Sequence, residues 1–416
     1  MRHRLRGRRP DQLPGASPSQ RHRCRRVAAA AEKSTGYGAY RRAGGASVKA
    51  AIVTEAGAAI EIVSDLEIDQ PRTGEALIAI DACGVCGSDL SLLTGKMAHP
   101  TPMVLGHEAC GTVVALGPDT DGPAAGERVI LWMRPPCRTC RMCIRGQGEL
   151  CEHSGRMSAY GTLLDGRTGF TRSGGDVFRA LGIGAFTERL VMPVSGLVPV
   201  PDDVPTDVAA LLGCGVATGA GAVINVARPQ AGDVVVVLGG GGVGQAAAMA
   251  AAASSAGAIV VVDPVEERRR QALDLGATHA VEGGDPKALR NQVKAALGDP
   301  WIDVVIEAVG RPELVATAHR VVRQGGTVVA VGVQASDSVV ALPGQQVALS
   351  HKRILGCFMG GIDPQRDMPK LFDLYRRGVL PLDRLITARR PLDEAAAALD
   401  DLAHARGLRT VLETGS

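Results

Sequence analysis

The fold is decided by residues 234–253, which read VVVVLGGGGVGQAAAMAAAA. The apolar run at the start predicts a buried strand, and the alanine-rich run predicts a helix. Between them, Gly239, Gly241 and Gly244 form the pattern G-x-G-x-x-G. In that pattern the first glycine permits the turn, the second lets backbone approach a pyrophosphate, and the third lets the helix pack on the strand. The segment therefore predicts a strand, a turn and a helix that together hold a dinucleotide.

The residues around these glycines define the expected cofactor contacts. Gly242 and Val243 open the predicted helix, whose amides and dipole attract phosphate. Asp263 follows the next predicted strand, where a carboxylate holds the adenosine ribose hydroxyls and repels a 2′-phosphate. This favours NAD over NADP, although Arg268 is a nearby basic residue of the kind that serves NADP. A merely glycine-rich loop is the alternative, but strand, glycines, helix, strand and acid occur in the expected order.

Strands and helices alternate further along the chain, which predicts a doubly wound parallel sheet. The predicted strands are 233–238, 259–262, 303–307 and 327–333, and the predicted helices are 266–275 and 313–323. Before this region, strands at 48–53 and 76–81 open a glycine- and proline-punctuated stretch that predicts a β-rich domain. After residue 355, helices are predicted at 369–377 and 392–403.

Four cysteines lie close together before the parallel-sheet region. Cys137, Cys140, Cys143 and Cys151 have the spacing C-x2-C-x2-C-x7-C, and four thiolates complete a tetrahedral zinc shell. Such a shell has no free position, so the zinc would be structural. An iron–sulfur cluster is a second interpretation, but those motifs usually continue with x3-C-P. A nucleic-acid-binding zinc ribbon is a third, and it would require more basic and aromatic surroundings.

A second set of candidate ligands is spread along the chain. Cys86, His107 and Cys214 each lie beside glycines, and two thiolates with one imidazole leave a fourth position for substrate, as a catalytic zinc requires. Each residue alone is weak evidence, because lone cysteines usually pack and lone histidines are usually satisfied polar groups. Asp89 or Glu108 would orient His107 through its second ring nitrogen.

These three patterns together resemble the zinc-dependent medium-chain alcohol dehydrogenases, over about residues 48–412. The resemblance implies a β-rich catalytic domain with a barrel-like, chaperonin-ten-like (GroES-like) core and an inserted Rossmann domain. It places catalytic zinc on Cys86, His107 and Cys214, and structural zinc on the four-cysteine loop. The implied domains are 48–215 for the catalytic part with both metals, 216–358 for NAD binding, and 359–416 for the return to the catalytic part.

The resemblance also assigns roles around the cofactor. The proton-relaying hydroxyl falls on Ser88, the nicotinamide-side threonine on Thr218, and a phosphate-contacting arginine on Arg409. Two positions depart from the family. Gly87 stands where many members have a basic residue that touches pyrophosphate, and Ser91 stands where many end the relay in a histidine. The long insertion after Cys151 resembles the usually dimeric members, so a homodimer is expected.

The reaction implied is hydride transfer between NAD and a small-molecule alcohol or aldehyde. Ser88 is small, and Trp132 and Met133 are candidates to line the pocket, which makes bulky or aromatic primary alcohols plausible substrates. An S-hydroxymethyl thiol adduct of formaldehyde is the alternative. Glutathione-dependent relatives grip its carboxylate with an arginine, and here Gly155 stands at that place with Arg156 next to it.

Composition and charge limit the remaining classes. The chain has 416 residues, with 45% hydrophobic and 21% charged, which excludes wholesale disorder. Residues 1–47 carry 12 basic and 2 acidic residues, whereas the rest carries 34 basic and 41 acidic. No basic face for nucleic acid is therefore expected on the body, and no membrane span is expected either. Two further classes are alternatives: a redox sensor with zinc in a purely structural role, and a nucleic-acid binder that uses the basic extension and the four-cysteine loop.

The extension at residues 1–47 has no apolar periodicity and is predicted to be disordered. A transit peptide and a nucleic-acid tail are two interpretations of its arginines. The third, which we favour as a hypothesis, is that translation starts at Val48. No secretory signal pattern is present, so the protein is expected in the cytoplasm with its cysteines reduced.

Overall fold

The computed structural model describes residues 47–415. The expectations for the arginine-rich extension, apart from Ser47, lie outside the described residues. Strands of the first half are β1 Ser47–Val53, β2 Glu61–Ile68, β3 Glu75–Gly84, β4 Met103–Val104, β5 Glu108–Leu116, β6 Arg128–Leu131, β7 Phe170–Arg172, β8 Gly175–Asp176, β9 Phe178–Arg179, β10 Arg189–Pro193 and β11 Leu197–Pro199. The second half contains β12 Val234–Leu238, β13 Ala258–Val262, β14 His279–Val281, β15 Val304–Glu307, β16 Thr327–Ala330, β17 Arg353–Gly356, β18 Ile386–Pro391 and β19 Arg409–Glu413.

The helices are interspersed among these strands; Gly242–Ala253, Glu266–Asp274, Pro286–Leu297 and Pro312–Val321 pack on strands of the second half, whereas Thr206–Leu212 packs on β3 and β5. Their bounds are Gly87–Leu93, Arg141–Ile144, Glu152–Tyr160, Thr206–Leu212, Gly215–Gly221, Gly242–Ala253, Glu266–Asp274, Pro286–Leu297, Pro312–Val321, Gly344–Leu349, Pro364–Arg376 and Ala395–Ala403. A π-helical segment, Ala222–Ala227, continues the helix Gly215–Gly221.

Two mixed sheets form the β-rich part. One has the order β8-β7-β2-β1-β4-β9, and the other has the order β11-β6-β5-β3-β19-β18 with β10 also paired to β3. The long strand β3 is central because it pairs antiparallel with β5, β10 and β19. Since β19 comes from the end of the chain, the last residues complete a sheet that the first half begins. This gives the barrel-like, GroES-like architecture that the resemblance implies.

The third sheet is parallel throughout, in the order β14-β13-β12-β15-β16-β17. Strand β12 lies in the middle and runs into the glycine turn, so the turn opens at the carboxyl edge of the sheet, where ligands of doubly wound folds bind. Val236, Val260 and Val305 are fully buried at the core of this sheet. The predicted Rossmann sheet is confirmed.

Some predicted elements differ from the structure. The strands β14 and β17 are absent from the prediction, because their sequences, HAV and RILG, lack the continuous buried apolar run that marks β12, β13 and β15. The helix predicted at 369–377 instead spans Pro364–Arg376, because the Asp363 carboxylate accepts the amide N–H groups of Gln365 and Arg366 and caps an earlier start. Strand β16 ends at Ala330 rather than at 333.

Among residues 47–415, no single helix has the length and apolar character to cross a membrane. One bent pair, Thr206–Leu212 with Gly215–Ala227, passes by length and composition alone.

Candidate active site

One carboxylate organises two of the three candidate ligands. Asp89 is fully buried and lies in the first turn of the helix Gly87–Leu93. Its Oδ2 accepts the N–H of Cys86 at 3.0 Å, and its Oδ1 lies 3.0 Å from His107 Nδ1. Oδ1 also accepts the N–H of Gly106 at 3.1 Å. Asp89 therefore caps the helix start, where Cys86 and Ser88 lie, and orients the imidazole with Nε2 facing the cluster.

The second acid at the site, Glu108, contacts Gly215 and Arg409 rather than orienting His107. Its Oε1 accepts the N–H of Gly215 at 2.8 Å and lies 3.4 Å from Arg409 Nη1. Arg409 is itself buried and donates to the carbonyl of Val85 at 3.3 Å. Of the two candidates, then, Asp89 orients His107, while Glu108 ties the helix that follows Cys214 to Arg409.

The ligand atoms of Cys86, His107, Glu108 and Cys214 all lie within 4.8 Å of one another. Among the described residues His107 Nε2 is buried without a hydrogen-bond partner, as is Glu108 Oε2. A buried imidazole nitrogen is rarely left without a partner, so its orientation toward two thiols fits a metal ligand. These side chains suit zinc, with Asp89 supplying the carboxylate that zinc-bound histidines usually contact.

The buried charges shift the pKa values of this cluster. A hydrogen bond between the thiols lowers the pKa of Cys86 and raises that of Cys214. Burial lowers the pKa of His107, but the negative charges of Asp89 and Cys86 outweigh it and leave the pKa well above its usual value. Burial raises the pKa of Glu108 to about 7 against the opposing effect of Arg409. The raised pKa values of Cys214 and Glu108 follow from burial, which disfavours their charged forms unless a positive partner lies beside them.

The four cysteines of residues 137–151 converge in one loop, with all four sulfurs within 4.8 Å of one another. Two Sγ–Sγ distances are 3.9 Å, for Cys137 with Cys143 and for Cys140 with Cys151. Bonds of 2.3 Å in a tetrahedron place sulfurs roughly 3.8 Å apart, so the loop fits one zinc ion. A cluster of several irons would separate the sulfurs further, and a disulfide would bring them to about 2 Å.

The glycines of the turn allow neighbouring atoms to lie closer to the backbone than any side chain would permit. A Cβ on Gly244 would lie 1.8 Å from Gly239 O, and one on Gly242 would lie 2.1 Å from Arg409 Nε. A Cβ on Gly241 would meet nothing within 4 Å, so the space above it is open. Asp263 is buried and its Oδ2 accepts the N–H of Gly240 at 2.8 Å, while Arg268 Nη1 lies 3.7 Å away.

A cleft of about 1090 Å³ joins the metal cluster to this turn. Its lining includes Cys86, Ser88, His107, Cys214, Thr218, Gly239, Gly241, Gly242, Val243, Asp263, Arg268 and Arg409. The candidate metal ligands, the candidate relay hydroxyl and the candidate dinucleotide contacts thus share one space. Gly244 lies beneath the turn and packs the helix on the strand, as its place in the motif predicts.

Two family models match this chain. The Alcohol dehydrogenase GroES-like domain matches residues 72–202, and Zinc-binding dehydrogenase matches residues 242–377. The NDMA-dependent alcohol dehydrogenase of Amycolatopsis methanolica is 36% identical over 88% of this chain and 98% of its own length. The chain belongs to the zinc-dependent medium-chain alcohol dehydrogenases.

Other members of the family are similar over a comparable length. The S-(hydroxymethyl)glutathione dehydrogenase of Komagataella pastoris is 31% identical over 88% of this chain and 97% of its own. Among solved structures, the benzyl alcohol dehydrogenase of Acinetobacter calcoaceticus superposes with a TM-score of 0.82 at 29% identity, covering 88% of this chain and 99% of that one. This alcohol dehydrogenase therefore shares its whole described architecture with proteins of the family.

The remaining candidate residues differ in whether they line the cleft. Met133 lines the cleft, whereas Trp132 is fully buried and does not line it. Ser91 lines the cleft too, but its hydroxyl donates to Gly87 O at 3.0 Å. Arg156 is exposed and does not line this cleft. Sequence reasoning missed Phe358 and Met359, which line the cleft after a short strand and carry no motif.

Proposed function

We propose that this alcohol dehydrogenase oxidises primary alcohols with NAD⁺, releasing an aldehyde, NADH and a proton. The observation that carries the proposal is the shared cleft, in which the unpartnered His107 Nε2 and two thiols lie in the same space as the open backbone at Gly241. A zinc ion held by Cys86, His107 and Cys214 would serve as the Lewis acid for the alcohol oxygen.

The residues of the chain then have separate tasks. Ser88 faces the cleft two residues after Cys86 and takes the alcohol proton toward solvent. Asp89 keeps Nδ1 of His107 protonated, so that Nε2 presents its lone pair to the metal. Thr218 lines the cleft one helical turn after Cys214 and contacts the nicotinamide side of the cofactor.

The cofactor proposal is NAD rather than NADP. Asp263 is buried at the end of β13, and its carboxylate caps the glycine turn through Gly240. A 2′-phosphate at the ribose would meet this negative charge, although Arg268 lies close enough to offset part of it.

The Gly241→Ala variant tests where the pyrophosphate binds, because its added Cβ would meet no protein atom within 4 Å. Native stability with weakened NAD⁺ binding would support a pyrophosphate above Gly241, and unchanged binding would contradict it.

The substrate proposal is an aromatic or otherwise bulky primary alcohol, supported by the small Ser88, by Met133 in the lining and by the similarity to a benzyl alcohol dehydrogenase. The second candidate is an S-hydroxymethyl thiol adduct, favoured by the Komagataella relative. Arg156, the residue considered for gripping its carboxylate, does not line the cleft, which favours the first candidate.

The deciding experiment measures oxidation of ethanol, benzyl alcohol and a thiol–formaldehyde adduct by protein of known zinc content. NAD⁺, NADP⁺ and NDMA are supplied in parallel, the last because a relative is NDMA-dependent. NADH formation from benzyl alcohol with two zinc ions per chain would support the proposal. Turnover only with the adduct would select the second candidate, and turnover only with NDMA would reject free NAD⁺ as the oxidant. A folded protein with one zinc and no turnover would favour the redox sensor.

A homodimer in the cytoplasm is part of the same proposal. Strand β17 is an edge strand of the parallel sheet. Apolar residues are exposed in it and in the helix before it, with Ile354 at 39%, Leu349 at 69% and Val347 at 52% exposure. A second copy pairing at this edge would cover them. A sedimentation mass of twice the chain mass would support the dimer. An Ile354→Lys variant should shift the equilibrium toward the monomer.

A further inference from the structure

Arg134 connects the four-cysteine loop to the wall of the cleft. It follows Met133, which lines the cleft. Its Nε donates to Glu149 O at 2.9 Å and its Nη2 donates to Cys151 O at 3.1 Å. The guanidinium carbon lies 5.2 Å from the centroid of the Phe358 ring, a cation–π contact. One side chain therefore joins the last cysteine of the loop to an aromatic residue of the cleft.

Phe358 belongs to the metal end of the cleft. Cys357, Phe358 and Met359 line it in sequence. The next residue, Gly360, packs so closely on the helix Gly215–Gly221 that a Cβ there would lie 2.4 Å from Ala217 O. Because that helix begins directly after Cys214 and carries Thr218, the segment lies beside the candidate metal site. Phe358 as a residue is 43% exposed, so burial alone does not hold its side chain in place.

The same loop holds the far end of this segment. Arg138, between the first two cysteines, makes two contacts with the Asp363 carboxylate at 2.6 and 3.2 Å. Asp363 is 6% exposed and also caps the helix Pro364–Arg376. Segment 357–363 is thus attached to the four-cysteine loop at both ends, by stacking at Phe358 and by an ion pair at Asp363.

We propose that Arg134 is a positioning residue for substrate selection, through which the four-cysteine loop fixes Phe358 at the metal end of the cleft. The proposal rests on the proposed function, since Phe358 contacts the side group of a bulky alcohol rather than the reacting carbon. Alcohols with an aromatic or large apolar group depend on this wall. Ethanol is too small to reach this wall, so its oxidation does not depend on it.

The test compares Arg134→Lys with a matched control, Arg145→Lys, an exposed arginine of the same loop. Lysine keeps the charge but loses the planar stack and the forked hydrogen bonds. We expect Arg134→Lys to raise KM for benzyl alcohol about three- to tenfold, the size of a lost cation–π contact. It should leave kcat and the KM for ethanol unchanged. The zinc content should stay at two ions per chain. The dissociation constant of an unreactive amide analogue of benzaldehyde should rise by the same factor.

A double-mutant cycle with Phe358→Leu identifies the route. If Arg134 acts through Phe358, the double variant is no worse than Phe358→Leu alone. The proposal is overturned if the two effects multiply, if KM rises equally for both alcohols, or if zinc is lost, since zinc loss assigns Arg134 to folding of the loop. Failure of the proposed function looks different, because the unsubstituted enzyme would then oxidise neither alcohol.

Discussion

The two cysteine clusters of this enzyme are built in opposite ways. The four-cysteine loop takes all its donors from residues 137–151, and its sulfurs are also held by local amides, such as Cys140 N–H on Cys137 Sγ at 3.2 Å. The cleft cluster takes Cys86, His107 and Cys214 from three distant segments. The first offers four cysteine sulfurs from one loop, whereas the second offers three candidate ligands that line the cleft.

The difference shows which residues hold the donor atoms of each cluster in position. The loop positions its own sulfurs, so its metal would supply folding energy. The cleft cluster depends on neighbours, with Asp89 holding two ligands and Glu108 with Arg409 holding the helix after the third. We therefore expect substitutions in the cleft cluster to remove activity first, and substitutions in the loop to remove stability first.

The largest expected effect comes from His107→Ala. Loss of a ligand to the Lewis acid should lower kcat/KM by about 10⁴-fold or more. The protein should stay folded with one zinc, as measured by metal analysis and thermal unfolding. His153→Ala, an exposed histidine after the loop, is the control and should behave as the unsubstituted enzyme. A zinc-depleted His107→Ala enzyme with normal turnover would contradict the assignment of this cluster.

Cys140→Ser tests the other side of the comparison. Structural zinc contributes roughly 10–16 kcal/mol to small zinc domains, so losing one of four thiolates should cost at least about 3 kcal/mol of unfolding free energy. Denaturant titration measures this loss, with Cys214→Ser as the matched variant. If Cys214→Ser destabilises the fold more than Cys140→Ser, the division between structural and catalytic clusters is wrong.

Asp89→Asn should come next in size. An amide offers one acceptor where the carboxylate accepts three N–H groups, so His107 loses its fixed orientation. Metal affinity in the cleft should fall about 10- to 100-fold, as for other partners of zinc-bound histidines. Competition with a chelator measures the affinity. Asp373→Asn, an exposed carboxylate, should leave it unchanged, and an unaltered affinity in Asp89→Asn would remove Asp89 from the site.

The smallest expected effect is that of Ser88→Ala. A relay hydrogen bond is worth about 1–3 kcal/mol, so turnover should fall about tenfold while zinc content and NAD⁺ affinity persist. Steady-state kinetics at saturating alcohol measure it. Ser91→Ala is the control, because the Ser91 hydroxyl already donates to Gly87 O. Equal turnover in Ser88→Ala and the unsubstituted enzyme would show that the proton leaves by another route.

Much of the fold was predictable because its signals are local. The central strand and its glycine turn are one continuous stretch, and the predicted β12, β13 and β15 match the structure within a residue at each end. The strands β14 and β17 lie toward the outer edges of the sheet and are only partly buried, so their sequences lack the continuous apolar run that predicts a buried strand. The start of the helix Pro364–Arg376 was misplaced because two prolines compete as start signals, and the Asp363 cap decides between them.

The sequence by itself determined the features whose parts lie close together in the chain, namely the four-cysteine spacing, the glycine turn and the strand–helix alternation. For these, the backbone geometry of a few residues places the groups, so spacing is sufficient information. Only the tertiary structure decided that Asp89 rather than Glu108 orients His107, that Arg409 meets Glu108, and that Arg134 stacks on Phe358. Each of these pairs depends on how separate strands and helices pack, because atoms a few ångströms apart belong to segments that no local pattern connects.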